Sequence, residues 1–106
     1  MSDVEENIHF LRLLATTPAV KQRQALLRTS TRHQILALAE IVLNVLRGKV
    51  NVSSETLKVL KSYKKTLRKL ATEGKRDITW LKRREAAVKA AKAISTLLKD
   101  FSIIWE

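Results

Sequence analysis

Cationic side chains recur at helical spacing between positions 58 and 69, and no carboxylate interrupts them. Wound at roughly 100° per residue, residues 54–71 form two separate faces. The basic face holds Lys58, Lys61, Lys64, Lys65, Arg68 and Lys69. The apolar face holds Leu57, Leu60, Tyr63, Leu67, Leu70 and Ala71. This pattern predicts a helix that docks on a core and presents its ammonium groups to the phosphates of a nucleic acid.

A second basic cluster follows shortly after the first. It comprises Lys75, Arg76, Lys82, Arg83 and Arg84. We expect it to extend the phosphate-binding surface across a turn into the next helix. The plain alternative is a basic helix start, which is unfavourable because cations at a helix N-terminus oppose the helix dipole. A nuclear-import signal is a further interpretation of the same clusters.

The residue types predict how such a surface would bind. Lysine meets a phosphate as a point charge, whereas arginine can read base edges with two hydrogen bonds, so a lysine-rich helix predicts sequence-independent binding. Tyr63 alone on this helix could stack on a base, and its place on the apolar face argues against that role. The alternative is a merely solvated face. Such faces usually gain ~0.3 kcal/mol per Glu–Lys pair at i, i+4 spacing, and those pairs are missing here.

Signatures of catalysis and of cofactor binding are absent from the sequence. His9 and His33 have no partners at metal-ligand spacing, and the chain has no cysteine. It also lacks a glycine-rich phosphate loop and a Gly-x-Ser-x-Gly motif. We therefore expect a protein that is not an enzyme and that binds no metal and no cofactor.

Composition indicates the kind of domain that must position these charges. With 106 residues, 45% hydrophobic, and only two glycines and one proline, the chain is predicted to be a compact all-α single domain, residues 1–106. The net charge of +11 is concentrated in one segment, because residues 49–84 alone carry +9. No apolar run approaches the ~20 residues of a membrane span. The acidic first residues argue against a signal or transit peptide, so we expect a soluble, intracellular, non-secreted protein.

Periodicity and capping residues predict about five helices in an irregular bundle. The first should cover residues 4–15, and the second should open at Thr17-Pro18 and end near Arg28. Thr31 and Gln34 form a capping box for a third helix, the best candidate for the buried centre, which Gly48 should end. Ser53 should cap the basic helix. Asp77 should cap a fifth, alanine-rich helix that has a small apolar footprint.

The C-terminal apolar residues allow two interpretations. They either pack on the core or form an exposed surface for self-association. In the second case the chain would form a homo-oligomer through Phe101, Ile104 and Trp105. The alternative function is accordingly a protein–protein interaction or self-association module that uses this apolar end and the basic surface. An accessory role at anionic membranes is a third option.

Four segments together resemble a known family. They are residues 14–18 (LATTP), 21–29 (KQRQALLRT), 40–48 (EIVLNVLRG) and 60–71 (LKSYKKTLRKLA). This order is similar to small basic helical proteins encoded by Polinton-type transposons and adintovirus-like DNA viruses. The resemblance implies a nucleic-acid-associated or virion-core role, with DNA favoured over RNA, such as genome packaging or a chromatin-like function in the nucleus or the virion. The chain departs from the family at residues 50–52, where proline is usual, and in its alanine-rich C-terminal third.

Overall fold

The computed structural model describes residues 3–71 and 79–100, and all regular structure within them is α-helical. The prediction of an all-α fold is confirmed. The radius of gyration is 12.4 Å, close to the ~13 Å of a compact domain of this length. The helices are α1 (Asp3–Glu6), α2 (Ile8–Thr16), α3 (Val20–Arg28), α4 (Arg32–Leu46), α5 (Ser54–Ser62), α6 (Lys64–Leu70), α7 (Trp80–Lys89) and α8 (Ala91–Lys99).

The predicted number of about five helices is too low for this structure. Three of the predicted helices are each interrupted at a single residue, namely Asn7, Tyr63 and Ala90. These breaks separate α1 from α2, α5 from α6, and α7 from α8. A sequence pattern cannot reveal them, because the apolar periodicity on either side of each break is that of a continuous helix.

Three predicted helix ends are confirmed. The Thr31 hydroxyl accepts a hydrogen bond from the Gln34 N–H (3.2 Å), and Gln34 Oε1 accepts one from the Thr31 N–H (2.9 Å). Gly48 has a φ of 72°, and the N–H groups of Gly48 and Lys49 bond to carbonyls in the last turn of α4, as in a Schellman motif. The Ser53 hydroxyl caps α5 by accepting from the Thr56 N–H (3.2 Å).

Two predicted helix starts are wrong. Thr17 does not open α3; it is the C-cap of α2, and its hydroxyl donates to the Leu13 carbonyl at 2.6 Å. The residue before a proline avoids the helical region, so residues 17–19 are a connection and α3 begins at Val20. α7 begins at Trp80, and Thr79 rather than Asp77 is its N-cap. Asp77 lies outside the described residues.

Arg23 holds the α2–α3 connection together. Its side chain is only 7% exposed. Nε donates to the Thr17 carbonyl at 2.9 Å, and Nη2 donates to the Pro18 carbonyl at 2.8 Å. This buried cation therefore satisfies two carbonyls of the turn and takes no part in the basic surface.

The core is built largely on α4 and α8. α4 is a core helix as predicted, with Ile35, Ala37, Leu38, Ala39 and Val42 buried. α8 buries even more of its length, with Ala91, Ala93, Ile94, Ser95, Leu97 and Leu98 inside. It packs against α2, α3 and α5. The small side chains of Ala91 and Ala93 let neighbouring helices approach closely, and the larger buried side chains Ile94, Leu97 and Leu98 follow the alanine-rich stretch.

Candidate nucleic-acid interface

The predicted basic helix is two helices. At Tyr63 (φ −110°, ψ 18°) the backbone leaves helical geometry, and the Tyr63 N–H bonds to the Leu60 carbonyl at 3.1 Å, three residues back. α5 packs on α8, whereas α6 packs mainly on α7 and also on α4. The six predicted cations are consequently divided between two helices that have different neighbours in the fold.

The separation of charge from core nevertheless holds on both helices. All six cations of the predicted basic face are exposed. Leu60, Leu67 and Leu70 are buried, and Tyr63 is partly buried against the core. The assignment of Leu57 to the apolar face is wrong, since it is 43% exposed. Thr56 is buried in its place, and its hydroxyl accepts a hydrogen bond from the Ser53 hydroxyl at 3.0 Å.

A narrow groove lies between α6 and α7. It has a volume of about 160 Å³. α6 contributes Lys65, Thr66 and Lys69, and α7 contributes Glu85, Ala86 and Lys89. Lys65 and Lys69 thus lie next to Lys89, which was not among the predicted site residues. Its signal was present, since Lys89 lies two turns after Lys82 on the same helical face.

A larger groove of about 570 Å³ lies between α3 and α7. Among the predicted site residues, Lys82 and Arg84 line it. Arg28 and Lys89 line it as well and were not predicted. No sequence signal could have selected Arg28, because its nearness to Lys82 arises from packing between distant helices. The remaining lining residues are Gln24, Leu81, Glu85 and Val88.

Stacking positions one of the arginines in this groove. The Arg84 guanidinium carbon lies 5.1 Å from the ring centroid of Trp80, within the range of a cation–π contact. Trp80 itself packs partly buried against the core. This contact restricts the conformations that the Arg84 side chain can adopt.

The two grooves share two lining residues of α7, Glu85 and Lys89. We call the cations that line them the basic band. Its members belong to α3, α6 and α7. The band consists of Arg28, Lys65, Lys69, Lys82, Arg84 and Lys89. Glu85 is the one carboxylate among the lining residues of the two grooves, so the band has a strong excess of positive charge.

The other predicted site residues do not line the grooves. Lys58, Lys61, Lys64 and Arg68 are exposed on α5 and α6. Arg83 is partly buried, and its backbone N–H donates a hydrogen bond to the Thr79 carbonyl at 3.3 Å. Lys75 and Arg76 lie outside the described residues, as do Phe101, Ile104 and Trp105, the residues of the predicted self-association surface.

Two other kinds of site are absent from residues 3–71 and 79–100. No cluster of three or more His, Cys, Asp or Glu side chains in these ranges could hold a metal ion. His9 and His33 are both exposed. No helix in the same ranges is long and apolar enough to cross a membrane.

The chain matches no protein-family model, no curated protein and no solved structure.

Proposed function

We propose that this protein is a non-enzymatic nucleic-acid-binding protein that contacts phosphates through the basic band. One observation carries the proposal: six cations from three helices line two grooves that share Glu85 and Lys89, and Glu85 is the single carboxylate among their lining residues. The exposed cations Lys58, Lys61, Lys64 and Arg68 would extend this surface over α5 and α6. Concentrated positive charge of this kind attracts polyanions and raises their local concentration.

The arrangement has a cost that a polyanion would remove. Lys65 and Lys69 are like charges one turn apart, and such a pair destabilises a helix by about 0.2–0.5 kcal/mol. Bound phosphate converts this repulsion into attraction and releases counterions. Four of the six cations in the band are lysines, which favours sequence-independent contacts. If all six meet phosphates, log affinity should fall against log salt with a slope of about −5 on duplex DNA.

The kind of nucleic acid and the biological role of the protein are also part of this proposal. The resemblance to transposon- and virus-encoded basic proteins favours DNA over RNA. It also favours genome packaging or a chromatin-like role, in the nucleus or in a virion. These assignments rest on the resemblance, whereas the binding of phosphates rests on the basic band.

A second candidate function is that of a protein-interaction module. It is favoured by an apolar groove of about 420 Å³ between α2 and α3. Leu13, which is 48% exposed, lines it with Ala25 and Leu26. An apolar surface of this kind can dock a partner chain. It does not account for the basic band, so nucleic-acid binding remains the leading proposal.

A pair of triple variants tests the leading proposal. The band variant changes Lys65, Lys69 and Lys89 to Glu. The matched control changes Lys49, Lys92 and Lys99 to Glu; these lysines are equally exposed but line neither groove. Both variants lower the net charge from +11 by the same six units. The measurement is a gel-shift titration on two unrelated duplexes at two salt concentrations, with circular dichroism to verify helicity.

We expect the band variant to lose the shift while the control loses about tenfold or less in affinity, because local contacts outweigh net charge at moderate ionic strength. Wild-type affinity should be similar on both duplexes and should fall steeply with salt. Equal losses in the two variants would show that only overall charge matters. A wild-type protein that shifts no nucleic acid at low salt would overturn the proposal.

A further inference from the structure

The α3–α7 groove is lined by both charged and apolar residues. Its cations are accompanied by two apolar residues, Leu81 and Val88. Leu81 is 49% exposed, and the three residues that follow it on α7 are all cations. Apolar area gains free energy only when another apolar or aromatic group covers it. Phosphate contacts alone therefore leave the apolar part of this groove without a partner.

A duplex is a poor partner for such a groove. Its bases are paired and stacked inside the helix, and its phosphates form the outer surface. A single strand offers both chemistries at once, because its unstacked bases have apolar faces while its phosphates alternate with them along the chain. Cations beside exposed apolar side chains match that alternation.

The polar residues of the groove fit the same ligand. Arg84, held by its contact with Trp80, supplies a planar guanidinium of the kind on which bases stack. Glu85 repels phosphate, yet its carboxylate can accept hydrogen bonds from the amino groups of bases. At about 570 Å³ the groove is within the range of concave ligand sites. It is thus sized for one or two nucleotides rather than for the width of a double helix.

We infer that the α3–α7 groove is a single-strand site, in which bases lie on Leu81 and phosphates reach Arg28, Lys82 and Lys89. The inference rests on the proposed function and narrows it to a ligand class. A duplex would contact the cations of the basic band without covering Leu81, whereas an unpaired segment would also place a base on Leu81. The protein should accordingly prefer a single strand, or the frayed or looped part of a duplex, over a fully paired one.

The experiment compares leucines of similar exposure on two helices. Leu81→Ser removes the apolar contact in the groove, and Leu57→Ser is the control, since Leu57 is 43% exposed on α5 and lines neither groove. Leu81→Phe adds a ring on which a base can stack. Binding is measured by fluorescence anisotropy with a labelled oligothymidylate of about 12 nucleotides, within the usual single-strand site sizes, and with a duplex of equal length.

We expect Leu81→Ser to weaken single-strand binding about fivefold, from the loss of partial leucine burial, and to leave duplex binding unchanged. Leu81→Phe should strengthen single-strand binding about threefold or more, because stacking on an aromatic ring is favourable. Leu57→Ser should change neither. Misfolding of a variant would weaken binding of the single strand and of the duplex equally. It would not make Leu81→Phe bind the single strand more tightly.

Four results would overturn the inference. Equal effects of Leu81→Ser and Leu57→Ser would show that the groove is not the site. Tighter binding of the duplex than of the single strand, with a steep salt dependence, would remove the single-strand preference and leave the proposed function standing. Binding of labelled polyglutamate with the same sensitivity to Leu81→Ser would assign the groove to an acidic protein segment. Absence of binding to every nucleic acid would overturn both proposals together.

Discussion

Individual residues in this protein take roles that their types alone do not indicate. Arg23 is a cation in a strongly basic chain, yet it is buried and bonded to the carbonyls of Thr17 and Pro18. Leu57 and Leu81 are apolar yet exposed. In each case the neighbouring helix, rather than the residue type, determines whether a side chain is covered.

At this scale we predict that Arg23→Ala destabilises the fold by about 2 kcal/mol, because it leaves two turn carbonyls without their charged donor. Arg23→Lys should recover only part of this, since a lysine lacks the planar fork that reaches both carbonyls. Urea unfolding followed by circular dichroism measures the change. Arg28→Ala, at an exposed position, is the control and should stay within about 0.5 kcal/mol of wild type. Equal losses at the two positions would refute a structural role for Arg23.

At the scale of elements, the break at Tyr63 and the alanine-rich C-terminal stretch decide the architecture. The break lets α5 pack on α8 while α6 packs on α7. Small residues at Ala86, Ala87, Ala90 and Ala93, all buried, allow α7 and α8 to lie close to their neighbours. The helices that present the cations are therefore held in place by residues that carry no charge and little volume.

The alanine packing makes a second prediction. Ala93→Leu should destabilise the protein by about 1–3 kcal/mol, because three added carbons have no space in a close-packed core. Ala25→Leu, on the exposed part of α3, is the matched control and should be nearly neutral. Chemical denaturation of both variants at equal protein concentration provides the comparison. A neutral Ala93→Leu would indicate that α8 is not closely packed.

At the scale of the whole molecule, the large net positive charge produces self-repulsion. The chain carries +11 in a body of 34 × 30 × 27 Å. At ~10 mM salt the Debye length of about 30 Å spans the molecule, so every cation repels every other. At ~150 mM it shrinks to about 8 Å, and only near neighbours interact. Repulsion of this kind destabilises the compact state.

We therefore predict that the melting temperature rises with salt. Screening worth about 1 kcal/mol would raise Tm by about 4–8 °C in a domain of this size. Thermal unfolding followed by circular dichroism at the two ionic strengths measures the shift. The Lys49, Lys92, Lys99→Glu variant, with six fewer positive units, should respond less. A melting temperature that falls as salt rises would contradict the prediction and indicate that attractive charge pairs outweigh repulsion.

Local interactions explain which features were predictable from the sequence. The all-α class, the capping box at Thr31, the stop at Gly48 and the cap at Ser53 depend on contacts within a few residues, and all are confirmed. The exposure of the cations on α5 and α6 also followed from periodicity, because burying an unpaired ammonium group is costly. The break at Tyr63, the role of Thr17 and the start of α7 were not predicted correctly, since helix boundaries respond to contacts that lie outside the local window.

The sequence by itself determined that this protein is helical, basic and divided into a charged block and apolar faces. Only the tertiary structure decided which cations share a surface. It split the predicted basic helix at Tyr63, brought Arg28 beside Lys82 and Arg84, and brought Lys65 and Lys69 beside Lys89. The physical reason is that a groove belongs to two helices at once. Its lining depends on how distant segments pack, and that packing is set by buried side chains such as the alanines of α7 and α8 rather than by the charges it brings together.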